Sequence, residues 1–168
     1  MTHWYEAVGL VETSIISYLT SQPSKDLVTS ANQLVAHEWW NRKRNGFDLY
    51  ISELVLEEAG RGDVVMARRR LELAANIPLL DVNEDVIVLA EEILRNNILP
   101  AKAAADISHI AIAAVHEVDF LLTLNCKHIA NAFIYRRIER ICRCFGVVAP
   151  IFCTPQEMVG KEDGLDEG

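Results

Sequence analysis

The sequence predicts an α/β domain in three layers, a central parallel sheet of four to five strands flanked by helices. Three observations predict it. Short apolar runs alternate with longer segments whose apolar residues recur at helical spacing, which implies crossover connections and a parallel sheet. The 168 residues are 51% hydrophobic, enough for one real core and too apolar for a disordered chain. Glu12 and Asn125 fall just past apolar runs. In such sheets the ligand site lies outside the carboxyl ends of the strands.

The elements follow in order along the chain. Residues 6–11 read as a buried strand and Thr13 to Leu19 as a short helix, broken at Pro23-Ser24. Ser24 is the expected N-cap of a long helix to about Arg44. Its expected buried stripe is Leu27, Val28, Ala31, Leu34, Val35 and Trp39. Asn45-Gly46 ends that helix, and Phe47 to Ile51 make a second strand. Residues 52–60 and 63–75 read as two helices divided by Gly60-Arg61-Gly62. Ile77 to Leu80 give a third strand, and residues 83–96 a helix stopped by Asn96-Asn97. Pro100 suits the first turn of the next helix, which runs to about Val118 with Ile107, Ile110, Ala111, Ala114, Val115 and Val118 inward. Phe120 to Leu124 form a fourth strand, and residues 128–145 a further helix. Val148 to Cys153 add a last strand that Pro150 keeps short or at an edge. Residues 156–168 read as an acidic, flexible tail behind a single domain over 1–155.

Composition narrows the function. A net charge of −8 argues against a general nucleic-acid coat protein. Local basic patches remain available in Arg42-Lys43-Arg44, in Arg61 with Arg68-Arg69-Arg70, and in Arg136, Arg137, Arg140 and Arg143. Most of these are expected to be solvated helix faces. Cys126, Cys142, Cys144 and Cys153 form no Cys-x-x-Cys pair, so a zinc knuckle is not expected. Cys126-Lys127-His128 is read as a small buried thiol beside a surface imidazole. Residues 1–6 do not resemble a secretory leader, so reduced thiols in a cytoplasm are expected. The longest apolar stretch, 101–118, carries Asp106, His109, His116 and Glu117, and is not expected to enter a membrane.

The acidic residues carry the chemistry. Bringing carboxylates together is costly, because like charges repel and burial strips their water. A fold that gathers several usually holds a hard divalent cation. Glu12 leaves a buried strand and precedes Thr13-Ser14, beside the N–H groups of a helix start. Asp106 lies in the early turns of its helix, where the macrodipole favours negative charge, and off the apolar stripe. His109, three residues on, is its neighbour on the helix surface and reads as a group supporting the metal or touching phosphate. Spacing alone does not choose between Glu57 and Glu58, with Glu53 a weaker third. Asp119 stands at the amino end of the fourth strand and reads as structural. Asn125, just beyond the carboxyl end, offers a neutral oxygen ligand or a hydrogen bond to a metal-bound water.

Leu10-Val-Glu-Thr-Ser14, Ile51-Ser-Glu-Leu-Val-Leu-Glu-Glu-Ala59, Asp106-Ile-Ser-His-Ile-Ala-Ile-Ala113 and Leu121-Leu-Thr-Leu-Asn125, in this order and spacing, resemble the PIN-domain family, in particular the VapC-like toxin ribonucleases. The resemblance covers roughly residues 8–153, so that 1–155 is expected to be one PIN-like domain. It implies that the family's acidic positions fall on Glu12, Glu58, Asp106 and Asn125, with Glu12, Glu58 and Asp106 as metal ligands. It further implies Mg2+- or Mn2+-dependent endonucleolytic cleavage of RNA, a small antitoxin partner and a homodimer. Thr13, Ser14 and Thr123 are expected to orient the water or the ligand carboxylates. Two departures stand out. The first position, commonly Asp, is Glu12, whose extra methylene moves the carboxylate by one carbon–carbon bond. The fourth is Asn125, which removes a formal charge and should weaken metal affinity. These departures leave a second reading, a catalytically degenerate module that binds RNA or a protein partner without cleavage. A haloacid-dehalogenase type of phosphatase would want Asp-x-Asp after the first strand, and Glu12-Thr13-Ser14 lacks it.

Overall fold

The computed structural model describes residues 6–100, 103–124 and 132–158. The elements are β1 (Ala7–Val11), α1 (Thr13–Thr20), α2 (Leu27–Arg42), β2 (Phe47–Ser52), α3 (Glu53–Ala59), α4 (Val64–Ala74), β3 (Leu79–Leu80), α5 (Glu84–Arg95), α6 (Ala104–Val115), β4 (Phe120–Leu122), α7 (Ala132–Phe145) and β5 (Ile151–Cys153). The five strands form one sheet in the order β3-β2-β1-β4-β5. Every pairing is parallel, with Leu10 opposite both Tyr50 and Leu121. The expected sheet of four to five parallel strands is therefore present, with β5 at an edge.

Alternation along each strand divides the core into two layers. Leu10 and Leu121 point to one face, where Leu89, Ile93, Ile107, Ile110 and Ile138 from α5, α6 and α7 cover them. Val11, Ile51 and Leu122 point to the other, against Ile15, Ile16, Trp39, Val55 and Ala74 from α1, α2, α3 and α4. The sheet is thus buried on both sides, as parallel sheets are. Helix α6 is the most enclosed element, with Ile107 and His109 to Ala114 all buried.

Side-chain caps set most helix starts. Asp63 and Asn83 accept from Met66 N at 2.9 Å and Val86 N at 3.0 Å. Asn97 and Glu117 take positive φ angles of 49° and 57° as their chain segments leave α5 and α6. Asp119 accepts a hydrogen bond from Val8 N at 2.9 Å and ties the start of β4 to β1. That is the structural part expected of it.

Three expectations need correction. Ser24 does not cap α2. Asp26 does, accepting from Thr29 N at 2.9 Å, while Ser24 Oγ accepts from Asp26 N. The carboxylate lies one residue before Leu27 and reaches the free N–H groups better than a hydroxyl three residues back. The buried stripe of α2 is also different. Leu27, Val28 and Leu34 are 85%, 70% and 69% exposed, and Ala31 is exposed as well. Gln33, Ala36, Trp39 and Trp40 face inward instead. The two indoles offer far more apolar area than the leucines they displace, and Trp39 stacks at 5.9 Å on Phe47 of β2. Gln33 turns inward because its amide satisfies the turn before the helix. It donates to Ser21 Oγ and Gln22 O and accepts from Ser24 N. Finally, α6 begins at Ala104 and ends at Val115, so Pro100 precedes it rather than opening it. Asn125, Cys126, Lys127, His128 and most of the tail lie outside the described residues, although Met158 is buried.

Two measurements check this packing. Leu34→Lys should leave the unfolding free energy within about 0.5 kcal/mol, whereas Trp39→Ala should cost about 3–5 kcal/mol in denaturant titrations. Burial pushes the Cys142 thiol up to about 11, while Cys144 is exposed. Near pH 8 only roughly one Cys142 in a thousand is thiolate. Alkylation of the native protein, mapped by mass spectrometry, should therefore mark Cys144 and spare Cys142.

Candidate metal centre

The strand order reverses between β1 and β4, which places a crevice at the carboxyl ends of those two strands. Glu12 stands directly after β1 and Thr123 directly after β4, and Glu12 N donates to Leu122 O at 3.0 Å. Helix α3 leaves the end of β2 with Ser52 as its cap, Ser52 Oγ accepting from Val55 N at 3.2 Å. Val55 and Ala59 anchor it inward, which turns Glu58 towards the crevice and leaves Glu57 in solvent, paired with Arg61. From the opposite layer α6 passes His109 under the same point.

Glu12 is held from both sides. Its backbone is extended, and its side chain caps α1. Oε2 accepts from Ser14 N at 3.0 Å, from Ser14 Oγ, and from Thr123 Oγ1 at 2.9 Å. Ser14 Oγ in turn accepts from Leu124 N at 2.9 Å. One carboxylate oxygen is thereby committed to the scaffold. The other, Oε1, faces Nε2 of His109 at 3.9 Å. Glu58 Oε1 lies 2.7 Å from the same nitrogen. The His109 side chain is 1% exposed and that of Glu58 is 21% exposed.

Glu12, Glu58 and His109 form a group whose ligand atoms all lie within 4.8 Å of one another. A group of this composition and spacing is able to hold a metal ion. The polar atoms at its centre are otherwise unsatisfied. Among the described residues, Glu58 Oε1 and both ring nitrogens of His109 are buried without a hydrogen-bond partner. The 2.7 Å approach of Glu58 to Nε2 is thus a close contact, not a directed hydrogen bond. Buried orphans of this kind are rare, and an ion is one of the few things that resolves them. The donor set fits a divalent cation.

The residues expected at the site fall into three sets. The structure brings Glu12, Glu58 and His109 together, with Ser14 and Thr123 fixing Glu12. Asp106 is half-buried one helical turn before His109, in the first turn of α6, and is not among the three whose atoms cluster. The Thr13 hydroxyl is buried and has no hydrogen-bond partner among the described residues. Asn125 lies outside the described residues. Sequence reading places His109 on the surface beside Asp106, whereas it is enclosed and stands between the two glutamates. The available signal was its position within the apolar run Ile107 to Ala114.

Several arginines of the basic clusters are engaged within the protein. Arg42 and Arg143 pair with Glu38 and Glu139, and Arg44 lies 4.5 Å over the Trp40 ring. Arg70 donates to Ala59 O and Arg61 O. Arg68 and Arg69 on α4, and Arg136 and Arg140 on α7, are exposed.

Comparison with solved structures agrees with this architecture. A chain of VapBC2 from Rickettsia felis, bound to a DNA fragment from their promoter, superposes with a TM-score of 0.51 at 14% identity, over 88% of this chain and 98% of that one. A chain of VapBC-1 from nontypeable Haemophilus influenzae gives 0.52 at 16% identity, over 89% and 98%. No protein-family model and no curated protein sequence matches this chain. At such identities the likeness is one of fold, and the fold is the PIN-like one that the sequence motifs implied. Among the described residues no helix is long and apolar enough to cross a membrane.

The hydroxyl bridge across Glu12 has a measurable consequence. Thr123→Val should leave Oε2 short of a buried donor and lower stability by about 1–3 kcal/mol. Unchanged urea midpoints for that variant would contradict the bridge.

Proposed function

We propose that this chain is a metal-dependent endoribonuclease, the toxin of a toxin–antitoxin pair, working in the cytoplasm. The observation that carries the reading is the group of Glu12, Glu58 and His109 at the strand-order reversal of a fold shared with VapBC structures. Metal-free binding of a small molecule would not call for two carboxylates against a buried imidazole.

In this reading Glu12 and Glu58 hold a divalent cation, Mg2+ or Mn2+. Asp106 adds negative charge at the start of α6, as a ligand or through a water. When bound, the cation supplies Lewis-acid stabilisation of the phosphoryl oxygens and a more acidic water. The protein does the positioning. Ser14 and Thr123 hold Glu12 Oε2, so Oε1 keeps one direction. Thr13 and Asn125 orient the attacking water. The water oxygen bonds to phosphorus as the bond to the 3′ oxygen breaks, giving 5′-phosphate and 3′-hydroxyl ends. Exposed arginines such as Arg68, Arg69, Arg136 and Arg140 neutralise substrate phosphates, and RNA binding weakens steeply with salt. Single-stranded or looped RNA suits an accessible crevice. A small antitoxin and a second copy of this chain are the expected protein partners.

Asp106→Asn and Glu58→Gln test the assignment without changing side-chain shape. Both should lower Mn2+-dependent cleavage of single-stranded RNA by at least about 100-fold, with melting temperature retained. Cleavage at the original rate by either purified variant overturns its catalytic role. A native protein that binds Mn2+ yet never cuts RNA supports the non-catalytic module instead.

A further inference from the structure

The geometry points to a nitrogen-liganded metal centre: His109 Nε2 is itself a ligand, and the site takes a later first-row transition dication such as Zn2+ in preference to Mg2+. The inference rests on the metal-dependent reading above and changes what that metal is.

Three observations carry it. Nε2 faces both carboxylates, at 2.7 Å from Glu58 Oε1 and 3.9 Å from Glu12 Oε1. Bonds of about 2.0–2.2 Å place neighbouring ligands about 3–3.4 Å apart, and the two separations bracket that range. The imidazole is enclosed, 1% exposed, and among the described residues neither nitrogen has a hydrogen-bond partner. Nε2 thus stands beside an oxygen of each carboxylate in a buried place, a set of donor atoms that a cation can join. Lastly, the third atom of the group is nitrogen, where a magnesium site would want oxygen. Mg2+ prefers an all-oxygen octahedron with several waters, whereas imidazole suits the later first-row metals. Asp106, outside the compact group, is left to act from the rim.

The scaffold supports this role. His109 sits on α6 with its side chain 1% exposed, so close packing around the ring limits the rotamers open to it. Glu12 is fixed by Ser14 and Thr123 on its other oxygen. Two of the three ligands are therefore preorganised by residues that would not touch the ion.

The test is pulsed electron paramagnetic resonance on the native protein loaded with Mn2+, with calorimetric titration of Mn2+, Zn2+ and Mg2+. The expected spectrum carries 14N modulation from a directly bound imidazole, and it changes when histidine is labelled with 15N. Mg2+ should bind at least about 100-fold more weakly than Zn2+. His109→Gln should remove the modulation and weaken Zn2+ binding by about 100-fold. The labelled native protein gives its answer even if that variant unfolds. Mn2+ bound without 14N modulation overturns histidine ligation and leaves the carboxylate nuclease reading standing. Neither Mn2+ nor Zn2+ bound overturns both.

Discussion

Two carboxylates and an imidazole meeting out of water form the constraint on which this structure depends. Each glutamate loses hydration as it enters the crevice, and the two repel each other unless a cation stands between them. The fold enforces the meeting through three elements from both sides of the sheet. Strand β1 ends on Glu12, α3 carries Glu58 off the end of β2, and α6 brings His109 from the opposite layer. The sheet order β3-β2-β1-β4-β5 opens the crevice where those elements converge. Packing that places Leu10 and Val11 on opposite faces therefore fixes where Glu12 emerges.

Glu12 shows how the site accommodates a longer side chain. Glu12 carries its carboxylate one carbon–carbon bond further from the backbone than an aspartate would. Here the additional reach allows Oε2 to cap α1 and to accept a hydrogen bond from the Thr123 hydroxyl, while Oε1 still faces His109. One side chain thus joins β1, α1 and the end of β4, and also contributes to the centre. The same division explains why hydroxyl residues sit at Ser14 and Thr123. They bond to the carboxylate and to each other's neighbourhood, with Ser14 Oγ also holding Leu124 N.

Much of this was legible in the sequence, for physical reasons that differ by element. Helix α5 was clear because Val86, Leu89, Ala90 and Ile93 repeat on one face and Asn83 caps it. Strands β1 and β4 were clear as short apolar runs ending in polar residues. Helix α2 was misread because Leu27, Val28 and Leu34 keep helical spacing as faithfully as Trp39 and Trp40 do. Periodicity finds a stripe and does not say which of two stripes meets the core. Glu58 was separable from Glu57 only by resemblance, and the packing of Val55 and Ala59 gives the physical basis. The spacing of His109 from Asp106 marks it in the sequence. Its burial between two acids depended on layers joined across 97 residues of chain, from Glu12 to His109, which local pattern does not carry.

A crystal structure of the protein grown with Mn2+, with anomalous diffraction recorded at the manganese edge, tests the central claim most directly. The account predicts one anomalous peak within about 2.0–2.3 Å of a Glu12 oxygen, a Glu58 oxygen and His109 Nε2. Full metal occupancy at any other place, with His109 still packed unliganded against Glu58, would contradict it.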